Sequence, residues 1–409
     1  YVLLLVFLVV LYPMLVQNQI QPGTTRFMII ILATSNLVDY LFLGKYKVLL
    51  TANQKGYVIA YIQALGTTLN MAVTILLIYN HANVLLVKGI ATLVYILRFF
   101  LVKAYVKRWY EVVDFQAEPK MDGLKQRGAA LLHQIVGVIV NNTDVVLLTV
   151  CLGSRSLVEV SVYGIYNMVI YAMNLLLTSF SNGLTAGFGE VISKGEKEVL
   201  KDSFSNYEYV YMIILMCVCT CMGVLLLPFV SVYTLHVTDA NYIRPVSAIL
   251  FTLIIFLQNV RIPGLTIICA AGHFKETRGQ AVLEAVINIA VSLSLVWKFG
   301  MNGVLFGTVC SYAYRSVEIV LYNRKHLVEG TGIISLKRIV RNVLAVVAIV
   351  CLLMNVVPQQ MTSFLTWGAY AVITGGVSLA VLLMLNYVCE PAEFKKVVQR
   401  MKSIGRQRG

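Results

Sequence analysis

Twelve apolar stretches divide the chain, with segments at 1–16, 27–43, 57–79, 84–103, 129–151, 160–187, 207–234, 242–270, 279–298, 302–321, 337–356 and 364–388, here lettered A to L. A segment that crosses a bilayer finds no water for its backbone, so it must satisfy its own N–H and C=O groups, and an apolar run of this kind does so as a helix. All twelve therefore read as transmembrane helices, and the fold class is an all-α polytopic membrane protein. Composition agrees: 59% of the 409 residues are hydrophobic and only 13% are charged, with a mean hydropathy of +0.79, outside the range of soluble domains. Stretch A runs only from Tyr1 to Val16, short of the roughly 20 residues a span needs. This predicts a chain truncated at its N-terminus. No charged segment precedes the run, so it does not read as a signal peptide.

Lysine and arginine alternate from link to link. The B/C, D/E, F/G, H/I and J/K links and the C-terminal tail are rich in them, whereas the opposite links hold only Arg26, Lys88, Arg155, Arg244 and Lys298. By the positive-inside rule the basic links and the C-terminus face the cytoplasm. The net charge of +14 is then topology and contact with anionic membrane lipids, and it calls for no nucleic acid. The link at 104–128 is long and charged and separates an N-terminal lobe, 1–103, from a C-terminal lobe, 129–325. Two extra helices follow at 326–389, then a basic cytoplasmic tail at 390–409.

The two lobes share an internal repeat. Lys55-Gly56 opens C as Arg278-Gly279 opens I, and Gly89 begins D as Gly303 begins J. Arg98 lies nine residues before Lys107-Arg108, and Arg315 nine before Arg324-Lys325. Several matches in order point to duplicated halves related by pseudo-symmetry. If A to D correspond to G to J, then E and F lack counterparts at the front. The intact architecture would be six plus six plus two helices, of which 12 of 14 are present here.

Stretch E carries Asn141, Asn142, Thr143 and Asp144 near its centre, where lipid tolerates little polarity. At helical spacing His133, Gly137, Asn141 and Asp144 fall on one narrow face, which predicts one side toward lipid and the other toward a wet interior. Stretch F supplies a longer stripe: Tyr163, Asn167, Tyr171, Asn174, Thr178, Ser181, Asn182 and Thr185 recur at steps of three and four. Its amides, hydroxyls and rings suit a cavity that handles sugars, while the bland alternative is polar glue between helices. Stretch C repeats the device more weakly with Gln63, Thr67, Asn70 and Thr74.

Ionisable groups inside spans are expensive and mark candidate sites. They are Asp39, Arg98, Asp144, Arg261, Glu284, Arg315 and Glu318. Arg98, Glu284, Arg315 and Glu318 lie near cytoplasmic ends, where snorkelling or local pairing also explains them. Arg261 sits in QNVRIPG, where Pro263 cannot donate to the carbonyl of Asn259 and Gly264 loosens the turn, predicting a kink beside a buried charge. A guanidinium there suits a phosphate or pyrophosphate; an internal salt bridge to Asp144 or another carboxylate is the open alternative. The eight cysteines lie within or at the ends of apolar segments and imply no disulfide framework. Cys217, Cys219 and Cys221, at i, i+2 spacing, do not share a helix face for a metal. No nucleotide-binding or catalytic motif is present in the sequence, so energy coupling would have to come from H+, Na+, membrane potential or a substrate gradient.

Taken together, the runs HQIVGVIVNNTDVVLLTVCLG, VYGIYNMVIYAMNLLLTSFSNGLTAGFGEVISKGE, YKVLLTANQKGYVIAYIQALGTTLN and NGVLFGTVCSYAYRSVEIVLYNRK resemble the polysaccharide flippases of the multidrug/oligosaccharidyl-lipid/polysaccharide exporter superfamily. The resemblance implies an inner-membrane flippase of O-antigen or capsule type, moving an undecaprenyl-pyrophosphate-linked oligosaccharide across the membrane by alternating access between two lobes. It implies no enzyme activity. A polysaccharide polymerase and other assembly proteins would be its partners. Family members line a cationic cavity with buried arginine and acidic residues; Asp144 and Arg261 match best here, then Arg98 and Arg315. The family's first two helices have no counterpart in this sequence. The nearest rival is a cation-coupled drug exporter of the same superfamily, which would depend on Asp39 or Asp144 and tolerate loss of Arg261. A membrane polymerase or acyltransferase is disfavoured by the lack of catalytic motifs and of large outer loops.

Overall fold

The computed structural model describes residues 5–6, 9–10, 22–53, 55–110, 127–181, 184–328 and 332–407. Most of stretch A, residues 111–126 of the inter-lobe link, and Asn182 of the stripe in stretch F lie outside the described residues. All regular elements among the described residues are helices, and ten of these segments are long and apolar enough to cross a membrane. The chain divides into two compact units, Tyr1–Pro119 and Lys120–Gly409.

In the first unit α1 (Pro22–Val38) passes through a π-helical turn (Asp39–Leu43) into α2 (Gly44–Ala52), followed by α3 (Gly56–Tyr79) and α4 (Val84–Trp109). A π turn widens the helix by one residue and commonly marks a functional position. Asp39 stands at its start. Asn83 caps α4 by accepting from the Leu85 N–H at 3.1 Å. The sequence reading ended this span at 103, but helical bonding continues to Trp109 because Lys103, Lys107 and Arg108 are good helix formers beyond the apolar region. Leu43, Tyr46, Leu50, Val58, Val102 and Val106 form the unit's core.

The second unit comprises α5 (Arg127–Cys151), α6 (Ser156–Ser181), α7 (Leu184–Ser193), α8 (Lys197–Tyr233), α9 (Pro245–Val260), α10 (Ile262–Ala271), α11 (Phe274–Phe299), α12 (Met301–His326), α13 (Gly332–Leu353), α14 (Phe364–Cys389) and α15 (Pro391–Gln407). Its pillar is α8, 37 residues long and so about 55 Å from end to end. Residues from Tyr211 to Val230 on α8 join α5, α6, α9, α11 and α12 in one core, and Val224, Leu225 and Val232 pack on α13 and α14. Stretch F, read as a single span from 160 to 187, is helical over Ser156–Ser181 and again over Leu184–Ser193, on either side of two residues outside the described ones, and the whole stretch is one candidate span. Stretch H breaks at Arg261, where the α9/α10 junction lies, as Pro263 and Gly264 require.

Between α11 and α12, Gly300 has φ +56° and ψ −132°, a conformation open in practice only to glycine, and it reverses the chain within one residue. The hairpin is then drawn tight by two more glycines. A Cβ on Gly303 would lie 2.5 Å from the Leu295 carbonyl oxygen, and one on Gly307 would lie 2.6 Å from the Ser292 backbone nitrogen. Small residues at such crossings let helix backbones approach closely inside a membrane. α13 is 22 residues long and falls outside the ten by composition, because Lys337, Arg338 and Arg341 crowd its first turns. Arg338 is 2.7 Å from Glu390 and 3.5 Å from Glu208, and Arg341 is 2.8 Å from Glu390. These pairs tie α13 and the α14/α15 junction to α8.

Candidate functional site

The helix break at Arg261 places a guanidinium inside the second unit. Arg261 ends the peptide path of α9 and carries the first bond of α10, with the Leu265 N–H donating to its carbonyl at 2.9 Å. Its side chain donates through Nη1 to Glu284 on α11 and lies over the Tyr312 ring of α12, 4.4 Å from the centroid. Glu284 is shared with Arg315, at 3.6 Å, and Arg315 also donates to Glu318 at 2.5 Å. All four side chains are buried, exposed by 14% or less. Two arginines and two carboxylates thus neutralise one another where unpaired charge would be most costly. Arg261 Nε remains buried with no partner.

Asp144 does not pair with Arg261, one of the two pairings left open by the sequence. It is 3% exposed and its neighbours are hydroxyls: Thr308 Oγ1 donates to Oδ1 at 2.9 Å and the Tyr163 hydroxyl donates to Oδ2 at 3.3 Å. Among the described residues it makes no ion pair. Thr308 accepts in turn from Asn288 Nδ2 at 3.0 Å, which leaves Asn288 Oδ1 buried and unpartnered. The expected wet face of α5 is therefore enclosed at Asp144, half-buried at His133 and Gly137, and exposed at Asn141. His133 contacts the Phe274 carbonyl at 3.0 Å, and Asn141 accepts from the Tyr312 hydroxyl at 3.1 Å. The physical reason is that α11 and α12 bring their own polar lines against it: Glu284, Asn288 and Ser292 at i, i+4, i+8, and Thr308, Tyr312 and Arg315 at i, i+4, i+7. Tyr312 links the halves, its hydroxyl on Asn141 and its ring beneath Arg261.

The stripe of stretch F divides in the same way. Asn174 donates to Gln258 at 2.9 Å and accepts from Asn259 at 2.7 Å, and Tyr211 donates to Asn259 at 3.2 Å. Thr178 bonds back to the Asn174 carbonyl at 2.8 Å, and Ser181 accepts from Tyr207 at 2.8 Å. These residues join α6 to α8 and α9. Asn167 and Tyr171 are exposed, Tyr171 by 66%. Neither makes a side-chain hydrogen bond among the described residues.

The first unit holds a separate polar pocket of about 180 Å³. Asp39 and Lys47 face each other across it at 2.7 Å. Arg98 donates to Thr67 at 2.8 Å, stacks on Tyr95 with 4.4 Å to the centroid, and keeps a buried, unpartnered Nε. Gly66 makes the room, since a Cβ there would fall on the Arg98 side chain. Among the described residues Arg98 has no carboxylate partner, so this pocket holds one unneutralised positive charge.

Sequence reading missed Lys47, Asn288, Thr308 and Tyr312, together with the amides Gln258 and Asn259. Two of these groups had a signal, the four-residue step of polar residues along α11 and α12. Lys47 had none beyond its position eight residues after Asp39.

The fold and these buried polar groups define a polytopic, all-α membrane protein. No family model and no curated protein sequence matches the chain. Among solved structures it is similar to one described as the lipid II flippase MurJ in an inward closed conformation, with a TM-score of 0.61 and 13% identity over 94% of this chain and 81% of that one. At that identity the likeness is one of fold.

Proposed function

We propose that the chain is a flippase of the multidrug/oligosaccharidyl-lipid/polysaccharide exporter superfamily. Its substrate would be an undecaprenyl-pyrophosphate-linked oligosaccharide, moved by alternating access across the cytoplasmic membrane for surface polysaccharide assembly. The observation that carries the reading is the pair of guanidinium groups embedded in membrane-spanning helices, Arg98 without a carboxylate and Arg261 in an exchangeable ion quartet. Arg98 is the readier ligand for a pyrophosphate, because binding there displaces no carboxylate. At Arg261 the phosphate competes with Glu284, which retains Arg315 when released. Asn167 and Tyr171 offer an amide and a ring to sugars, and the polyprenyl chain stays in lipid.

Asp144 is the cation-linked carboxylate in this proposal. Its oxygens and Thr308 Oγ1 are hard donors suited to a hard cation such as Na+, and a proton on Asp144 would serve the same charge balance. The second reading, a cation-coupled drug exporter, draws on the same Asp144 and on Asp39. Complementation of a host lacking its own oligosaccharide flippase separates the two. Restored surface glycan that is lost with Arg98→Ala or Arg261→Ala supports the flippase; drug resistance that survives both substitutions supports the exporter.

A further inference from the structure

A cleft of about 390 Å³ opens between α6, α8 and α14. Met168 and Met173 of α6 and Cys217, Cys221 and Met222 of α8 all line it. Its other lining side chains are hydrocarbon except Trp367, whose ring N–H is committed to the Leu225 carbonyl at 3.2 Å. The sulfurs are therefore the uncommitted donor atoms among its side chains.

The i, i+2 spacing of the α8 cysteines parts Cys219 from its two neighbours but leaves those neighbours together. Cys217 and Cys221 stand four residues apart, one turn of the helix, and their thiols interact directly. Cys219 packs into the core instead, 4% exposed. The Cys217 thiol also donates to the Gly375 carbonyl of α14 at 3.6 Å, and both Cys217 and Cys221 are half-buried, open to an entering ion.

The donor set selects its ion. Thiols and thioethers are soft ligands and favour a soft, low-coordinate ion. Zn2+ asks for four ligands drawn from Cys, His, Asp and Glu, and no group of three such residues gathers among the described ones. Charge selects as well, because an uncompensated charge in an apolar cleft is expensive. A monovalent ion that replaces one thiol proton leaves the net charge of the cleft unchanged, whereas a divalent ion adds a charge or must expel two protons.

We infer that this cleft is a binding site for one copper(I) ion, held by Cys217, Cys221 and a methionine thioether. Cu+ bonds to one sulfur as its S–H proton leaves for the solvent, and the second thiol and the thioether bind through lone pairs with no change of oxidation state. A thioether from Met168 or Met173 makes the ion a bridge between α6 and α8. The inference stands apart from the transport reading.

The test uses the purified full chain, reduced and free of oxygen, titrated with copper(I) against a coloured copper(I) chelator. Wild type is compared with Cys217→Ala/Cys221→Ala, with Met168→Leu/Met173→Leu/Met222→Leu, and with Cys351→Ser, a cysteine that lies outside the cleft. Met-to-Leu exchange conserves volume, so the triple variant keeps the packing and removes only the sulfur. Thermal unfolding of each reports folding. Wild type and Cys351→Ser are expected to hold one tight copper(I) per chain, with X-ray absorption showing a shell of sulfur alone. The cysteine variant should lose that ion. The methionine variant should bind at least tenfold more weakly, since loss of groups that merely support a metal ligand already costs 10–100-fold. Wild-type affinity in a folded cysteine or methionine variant, nitrogen or oxygen in the metal's shell, or equally tight uptake of Zn2+ would each overturn the inference.

Discussion

Arg261 is bonded to Glu284 across the break that separates α9 from α10, and Glu284 is at the same time within 3.6 Å of Arg315. The kink supplies the space and the quartet supplies neutrality. Removing one member of a buried pair costs roughly 3–5 kcal/mol, because the survivor is left charged in a poorly solvated place. Arg261→Ala and Glu284→Ala should each lower stability by about that much in detergent denaturation. The double variant Arg261→Met, Glu284→Leu should recover most of the loss, as apolar replacements of buried pairs do, yet it should not transport. Recovery of transport together with stability would assign the quartet a purely structural role.

Asp144→Asn keeps the shape of the side chain and one of the two acceptor oxygens that Tyr163 and Thr308 use, its amide nitrogen facing a hydroxyl that can turn to accept, while removing the charge. The variant is expected to insert and fold, and transport should lose its dependence on a Na+ or H+ gradient. Transport rates measured with each gradient imposed in turn check this. A gradient response equal to wild type would exclude Asp144 from coupling.

Gly307→Ala places a Cβ 2.6 Å from the Ser292 backbone nitrogen and 2.9 Å from its Cα, atoms that cannot turn aside. Overpacking of this kind costs roughly 1–3 kcal/mol. Gly164→Ala is the control, since nothing lies within 4 Å of a Cβ there, and alanine should stabilise a helix interior by up to about 1 kcal/mol. Opposite shifts in melting temperature are expected for the two substitutions.

Glu390 is the anchor of the C-terminal helices and lies just past the α14 span. Burial pushes its carboxyl up, but the hydrogen bonds and charges of Arg338 and Arg341 outweigh burial and hold it below the usual carboxylate range. A lowered folded-state value means the stabilisation is complete above about pH 4.3, the ordinary value for glutamate, and is lost as pH falls through the lowered one. Thermal melts between pH 7 and pH 3 should show that loss. Glu390→Gln should be less stable at pH 7 and flatter across the acid range.

Much of the fold was legible because lipid leaves the backbone few choices: apolar length marked the helices, and Pro263 with Gly264 marked the break at Arg261. In the site, charges were visible but partners were not. Asp144 and Arg261 are both deep in their spans and invite pairing, yet Glu284 reaches Arg261 because the tight α11/α12 hairpin, set by Gly300, Gly303 and Gly307, brings Arg315, Glu318 and Tyr312 into the same layer. That proximity is a property of helix packing, which no spacing within one stretch encodes. The same is true of Lys47 and Asp39, brought together by a π turn.

The central claim is tested most directly by reconstituting the protein in liposomes with a fluorescent polyprenyl-pyrophosphate oligosaccharide and following how fast a membrane-impermeant quencher reaches the label. Wild-type protein is predicted to scramble or pump the lipid between leaflets well above protein-free liposomes, and Arg98→Ala and Arg261→Ala to fall to background while remaining inserted. Translocation no faster than in protein-free liposomes, or wild-type rates in both arginine variants, would contradict the account.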